Sequence, residues 1–207
     1  MTARSATTAV TGPPAPETLR RDLRERRDRI LRAALKSLLT GDYDRLMVAD
    51  VARAADVATA TLYRYFASKE HLFAEAFLEW HSTLRHKLDQ AASEGATERD
   101  RVHELFKRTI KAFELQPQFF GVMMMMESTS DPYAADVFAR LEPLWESMVA
   151  TALRGPVEGD RRVMVYILNT VLFAGLRRRL TGRGSIADVY RDVEEALALI
   201  YENRLGE

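Results

Sequence analysis

Apolar residues along this chain recur every three or four positions, and no stretch alternates apolar with polar residues as a half-buried strand does. A period near 3.6 confines the chain to packed helices, each turning one face toward a shared core. With 10 Gly and 7 Pro among 207 residues, helix breakers are few, so their positions and those of capping residues divide the chain. A first helix is expected from about Leu19 to Thr40, with Leu23, Ile30, Leu31, Ala34, Leu35 and Leu38 on one face and Gly41 as its stop. A short piece, VADVARAA (48–55), comes next, and a shorter one opens at Thr59. Ser68 is placed to cap a long helix from Lys69 to about Ala92. Thr97 and Asp100 have capping-box spacing, and Pro117 opens a short helix through FFGVMMMM (119–126). Asp131-Pro132 reads as a cap followed by a first-turn proline, for a helix ending near Gly155-Pro156. Two more follow, about Asp160–Leu180 and Ser185–Asn203, the second with Ser185 and Asp188 again at capping-box spacing. The expectation is an all-α chain of nine helices.

Net charge is zero but unevenly spread. Between Arg20 and Lys36 lie eight cations (Arg20, Arg21, Arg24, Arg26, Arg27, Arg29, Arg32, Lys36) against Asp22, Glu25 and Asp28. Such a block is either a site for an anionic partner at one end of the molecule or a solvated face laced by pairs such as Glu25 with Arg29. Cysteine is absent, which excludes disulfides and thiolate chemistry and fits a cytoplasmic protein. The opening MTARSATTAVTGPPAPET lacks the apolar centre of a secretion signal, and residues 1–17 read as a disordered tail. The longest apolar run, VMVYILNTVLFAGL (163–176), falls short of the ~20 residues a membrane span needs and contains Asn169 and Thr170, so no membrane partner is expected. His71, His81, His86 and His103 form no zinc pair, and HExxH, GxSxG and phosphate-cradling glycine loops are missing. No enzyme activity, catalytic residue, metal or cofactor is expected.

The stretch ATATLYRYFASKEHL (58–72) carries the functional signal. Thr59 to Tyr65 make fewer than two helical turns, too few to be stable alone. Val51, Ala52 and Ala55 of the preceding helix and Leu62 and Phe66 of this one supply an inward face, with Ile30 and Leu31 of the first helix packed across both. The small residues permit close, steep crossing, which is helix-turn-helix geometry with the second helix of the pair in the DNA major groove. Thr59, Thr61, Tyr63, Arg64 and Tyr65 are then left to share the outward surface, where hydroxyls and a guanidinium reach phosphates and base edges. Lys69 adds a charge at a helix N-terminus that already favours phosphate.

ADVARAADVATATLYRYFASKEHLF (49–73) resembles the signature of the TetR-type transcriptional repressors, and the length and nine-helix layout extend the resemblance over nearly the whole chain. RERRDRIL and TLYRYFASKEHL further resemble the branch that represses sterol and lipid catabolism genes in actinobacteria. The resemblance implies that Thr59, Thr61, Tyr63, Tyr65 and Lys69 touch DNA, with Arg64 as the candidate base contact and Arg26 and Arg27 reaching the backbone or a minor groove. Three positions depart from the pattern. Asp56 stands where glycine is usual in the turn, Met47 where Ser or Thr caps the second helix, and Ala58 where a serine is common. Asp tolerates a left-handed backbone, so the turn is expected to survive. The departures keep a rival open: a helical ligand-binding or adaptor protein without DNA binding.

The resemblance also implies a division into a DNA-binding domain (18–68) and a ligand-binding and dimerising domain (69–207). Val163, Tyr166, Ile167, Thr170 and Phe173, with Ile186, Val189, Tyr190, Val193, Leu197 and Ile200, form apolar stripes on the last two helices. A symmetry mate would bury them in a homodimer, and packing within one chain would bury them too. The methionine run is a soft surface suited either to a loose core or to a pocket. With the family in view it points to a large hydrophobic effector such as a lipid, sterol derivative or acyl-CoA. Candidate lining residues are Phe77, Trp80, Phe106, Phe113, Phe119, Met123, Met126, Trp145, Met148 and Phe173, with Asn169 and Thr170 for polar contacts. The expected partners are therefore double-stranded DNA carrying a palindromic operator, a hydrophobic small molecule and a second copy of the chain.

Overall fold

The computed structural model describes residues 12–204. Among them the chain forms nine α-helices, two 3-10 turns and no strand, the all-α class expected. The tail expected over residues 1–17 lies outside the described residues as far as residue 11. Of the remainder, Gly12 lies against the Tyr133 ring and Pro16–Thr18 form a 3-10 turn. That turn delivers Leu19 into the core in extended backbone, so α1 (Arg21–Thr40) starts two residues later than its periodicity implied.

Ile30, Leu31, Ala34 and Leu38 bury one face of α1 against α2 (Val48–Ala54) and the long α4 (Lys69–Ser93). Between them the chain turns into α3 (Thr59–Tyr63) through Asp56, whose φ of 54° is the left-handed conformation. A short polar side chain is among the few besides glycine that adopt it readily. Neither Met47 nor Ala58 gives a side-chain cap to α2 or α3, so these two short helices depend on packing. The inward set is as expected: Val51, Ala52, Ala55, Leu62 and Phe66 are all buried.

α4 is the spine of the molecule, in contact with α1, α5 (Glu98–Leu115), α6 (Gln118–Ser128) and α7 (Pro132–Leu153). Its start is fixed by Ser68, whose Oγ accepts the His71 N–H at 2.8 Å. The Thr97–Asp100 capping box forms reciprocally, and Asp131 Oδ1 accepts the Ala134 N–H at 2.8 Å where Pro132 opens α7. Caps of this kind contribute about 1 kcal/mol each. α6, apolar from Phe119 to Met126, is central, with Phe119, Phe120 and Val122 buried against α4 and α7.

α8 (Gly159–Leu180) and α9 (Ile186–Arg204) pair with each other, and α9 also lies on α5. Here the expected stripes divide. Val189, Val193 and Leu197 are 1–2% exposed and pack inside the chain, so they are not available to a partner. On α8, Val163 (58%), Tyr166 (71%) and Ile167 (41%) stay exposed, as does Leu199 (63%) on α9. No helix among the described residues is long and apolar enough to cross a membrane.

Candidate functional site

α3 and its C-cap carry Thr59 and Arg64 exposed, Tyr63 46% exposed and Thr61 half-buried. Lys69 is held in place beside it, its Nζ 4.5 Å from the centre of the Tyr43 ring. Burial and the nearby Glu70 raise the Tyr43 phenol to about 12, so the ring stays neutral beneath the ammonium. Tyr65 requires a correction. At 5% exposure its side chain joins the core instead of sharing the outward surface, because α3 ends at Tyr63 and the chain bends toward Ser68.

Arg27 requires a larger correction. One position along α1 from the half-buried Arg26, it turns inward and is 6% exposed. Its guanidinium lies 5.1 Å from the Phe66 ring centre, and Nη2 donates to Glu75 Oε2 at 2.7 Å. It is a strut between helices and cannot reach DNA from there. The other oxygen of Glu75 accepts from Arg140 of α7. Burial pushes the Glu75 carboxyl up, but hydrogen bonds from Arg140 and Arg27 outweigh it and leave the group below the ordinary carboxylate range. His71 packs against the same residues, stacked on Tyr133 at 5.3 Å and edge-on to Phe66 at 5.6 Å, with Nδ1 accepting the Ala67 N–H. The helix-turn-helix end and α7 thus meet through one carboxylate of α4.

Further along the same helices lies a cavity of about 350 Å³, walled mainly by apolar side chains of α4, α5, α7 and α8. Of the expected lining, Phe77, Trp80, Phe113, Met123, Trp145, Asn169 and Phe173 border it. Five others do not. Phe119 stands behind the wall, stacked on Trp80 at 4.2 Å, and Phe106 lies edge-on to Trp145 at 5.6 Å. Met126 and Met148 are buried elsewhere in the core, and Thr170 is exposed with its hydroxyl on the Tyr166 carbonyl. The methionine run therefore contributes a single residue, Met123.

His81, Leu84, Leu88, Phe138 and Glu142 border the cavity and were missed. Helical spacing carried the signal: positions 77, 81, 84 and 88 share one face of α4, and 138, 142 and 145 one face of α7. Three side chains of this wall carry a buried polar atom that has no hydrogen-bond partner: His81 Nδ1, Trp145 Nε1 and Asn169 Oδ1. Pro143, inside α7, also removes the helical donor to the carbonyl of Ala139, another bordering residue.

A helix-turn-helix with polar residues on its second helix, tied to a helical domain with an apolar cavity, defines a DNA-binding transcriptional regulator. Residues 30–76 match the family described as "Bacterial regulatory proteins, tetR family", and residues 95–200 match "Tetracyclin repressor-like, C-terminal domain". The chain belongs to the TetR family. It is similar to the HTH-type transcriptional repressor KstR of Mycobacterium tuberculosis, with 33% identity over 178 residues covering 86% of this chain and 81% of that one. Among solved structures it resembles a TetR transcriptional regulator from a Rhodococcus species, with 26% identity, a TM-score of 0.66 and coverage of 89% and 99%. It also shares the fold of FadR from Bacillus subtilis, solved in complex with stearoyl-CoA, with a TM-score of 0.63, 16% identity and coverage of 84% and 96%.

Proposed function

We propose that this protein is a homodimeric repressor with two domains, residues 18–68 and 69–207, whose α3 reads a palindromic operator and whose cavity takes a hydrophobic effector that releases the DNA. Thr59, Thr61, Tyr63, Arg64, Lys69 and Arg26 are the proposed DNA contacts. Arg64 meets a base edge, and the others position the helix on phosphates. The exposed Val163, Tyr166 and Ile167 on α8 with Leu199 on α9 form the proposed dimer face.

The observation that carries the reading is the Glu75 carboxylate. Arg27 belongs to α1, which packs on α2, and its guanidinium lies over Phe66 just past α3, while Arg140 is flanked by the cavity residues Ala139 and Leu141. A ligand that displaces α7 against α4 pulls on the same residue that anchors the helix-turn-helix. Coupling of this kind is typically ~1–3 kcal/mol, or about 5–150-fold in affinity. Similarity to the repressor KstR favours repression, and the shared fold of FadR, solved with stearoyl-CoA, favours an apolar effector with a lipid-like body.

The test is fluorescence anisotropy of the protein on DNA upstream of its own gene, with salt titrated and apolar ligands added. Expected are sequence-dependent binding with a steep negative salt slope, and release by an apolar ligand. Equal weak affinity for every sequence, including those from a randomised-DNA selection, favours the rival reading of a ligand-binding protein without an operator.

A further inference from the structure

Apolar cavities stay dry and need no polar lining, whereas a buried polar atom without a partner carries a desolvation cost. Three side chains that border this cavity, on three different helices, each carry such an atom: His81 Nδ1 on α4, Trp145 Nε1 on α7 and Asn169 Oδ1 on α8. Their chemistry is specific. The indole N–H only donates, the amide oxygen only accepts, and an imidazole nitrogen does one or the other according to its tautomer. A group serving all three must accept from Trp145 and donate to Asn169. A hydroxyl does both, with one donor and two acceptor lone pairs. A ketone or ether leaves Asn169 unmet, and a carboxylate does so while adding a charge.

The charge balance points the same way. Among the described residues, the lining includes no Lys or Arg, and its one acidic residue is Glu142. Anionic groups are held in proteins by cations or clustered N–H donors, and this cavity offers neither. Its volume sits at the lower end of the ~300–1,000 Å³ range of ligand pockets, sufficient for an apolar body without a nucleotide.

We propose that the buried end of the effector is an uncharged hydroxyl on an apolar body, hydrogen-bonded by Trp145, Asn169 and His81. Those three residues, more than the methionine run, set ligand specificity. The inference rests on the cavity being the effector site.

The two tryptophans of the chain, Trp80 and Trp145, both border the cavity, so intrinsic fluorescence reports its occupancy. The probes are 1-dodecanol, its methyl ether and dodecanoate, which share one chain and differ in the end group. The alcohol is expected to bind about tenfold or more tightly than either, since each alternative leaves a buried partner unmet. Asn169→Leu should abolish that preference while the ether binds as before. His81→Phe, read alongside it, should weaken the alcohol selectively in a protein whose thermal unfolding shows it folded. Ether or dodecanoate binding as tightly as the alcohol, or an undiminished preference in Asn169→Leu, overturns the hydroxyl assignment and leaves the cavity as an effector site. Absence of binding by all three probes overturns the effector site itself, and the assignment with it.

Discussion

Arg27 and Arg140 hold opposite oxygens of the Glu75 carboxylate, so an arginine of α1 and an arginine of α7 are tied through a single residue of α4. Glu75 is buried and Arg27 with it, whereas the Arg140 side chain is 44% exposed. The two halves of this bridge are therefore unequal, one buried between helices and one partly solvated.

Glu75→Gln removes the charge that compensates a buried arginine, a loss of about 3 kcal/mol for buried pairs. Urea unfolding should show it directly. Arg140→Ala acts at a partly solvated pair, where the stability cost is under about 1 kcal/mol. Its expected effect is on signalling: anisotropy on operator DNA should show a smaller ligand-induced loss of affinity. An Arg140→Ala protein that responds to ligand as fully as wild type would separate the carboxylate from the coupling.

The neighbours Arg26 and Arg27 offer a paired comparison. Arg26→Ala should leave stability unchanged and lower the magnitude of the salt slope of DNA binding by about one. Arg27→Ala should lower stability by up to about 3 kcal/mol, because Glu75 is left buried with only the partly solvated Arg140 as its partner, with the salt slope of the folded fraction retained. The reverse pattern would place Arg27 on the DNA.

On α3, Tyr63→Phe should weaken binding to all sequences alike, as loss of a phosphate contact does. Arg64→Ala should relax base preference at one operator position by about 1–3 kcal/mol. A competition series over single-base operator variants distinguishes the two. Unchanged affinity in both variants would take this helix off the DNA.

Acid should destabilise the fold in two steps. Burial pushes the imidazoles of His71 and His81 below their usual 6.5; around His71, Glu75 and Asp131 oppose the shift while Arg27 and Arg140 add to it, and around His81, Arg85 adds and Asp89 opposes. The unfolded chain then binds more protons than the folded one as pH falls through about 6.5, and stability declines from there. The Glu75 carboxyl is depressed in the folded state, so its contribution is present above about pH 4.5 and is lost as pH drops through its lower folded value. Urea midpoints measured from about pH 8 to pH 4 should be flat at first, fall below 6.5 and fall again below 4.5. A midpoint unchanged at pH 5.5 would mean that both imidazoles are hydrated.

Much of this fold was legible because its signals are local. A cap acts on an N–H three residues away, so Ser68, the Thr97–Asp100 box and Asp131-Pro132 mark helix starts whatever the tertiary setting. Asp56 likewise signalled its own backbone, since tolerance of positive φ is a property of the residue. The apolar period assigned the inward faces of α1 to α3, and the signature stretch around α3 fixed the family.

What the sequence could not determine were the partners of charged, aromatic and polar groups. Arg26 and Arg27 are alike in composition and neighbourhood, yet only Arg27 meets a carboxylate, and that carboxylate lies 48 positions away. Val189, Val193 and Leu197 read from sequence as a dimer stripe, with a core stripe as the alternative, and are buried where α9 packs on α5 and α8. The lining was only partly foreseeable, because Phe106 and Phe119 have the same residue character as the rings that reach the cavity and differ only in standing behind them. By itself the sequence determined where helices begin, which faces turn inward and which family the chain joins, all consequences of interactions over a few residues. The tertiary structure decided which arginine is a strut, which tyrosine is core and which side chains border the cavity. Those outcomes depend on helix orientations set by packing across the whole chain.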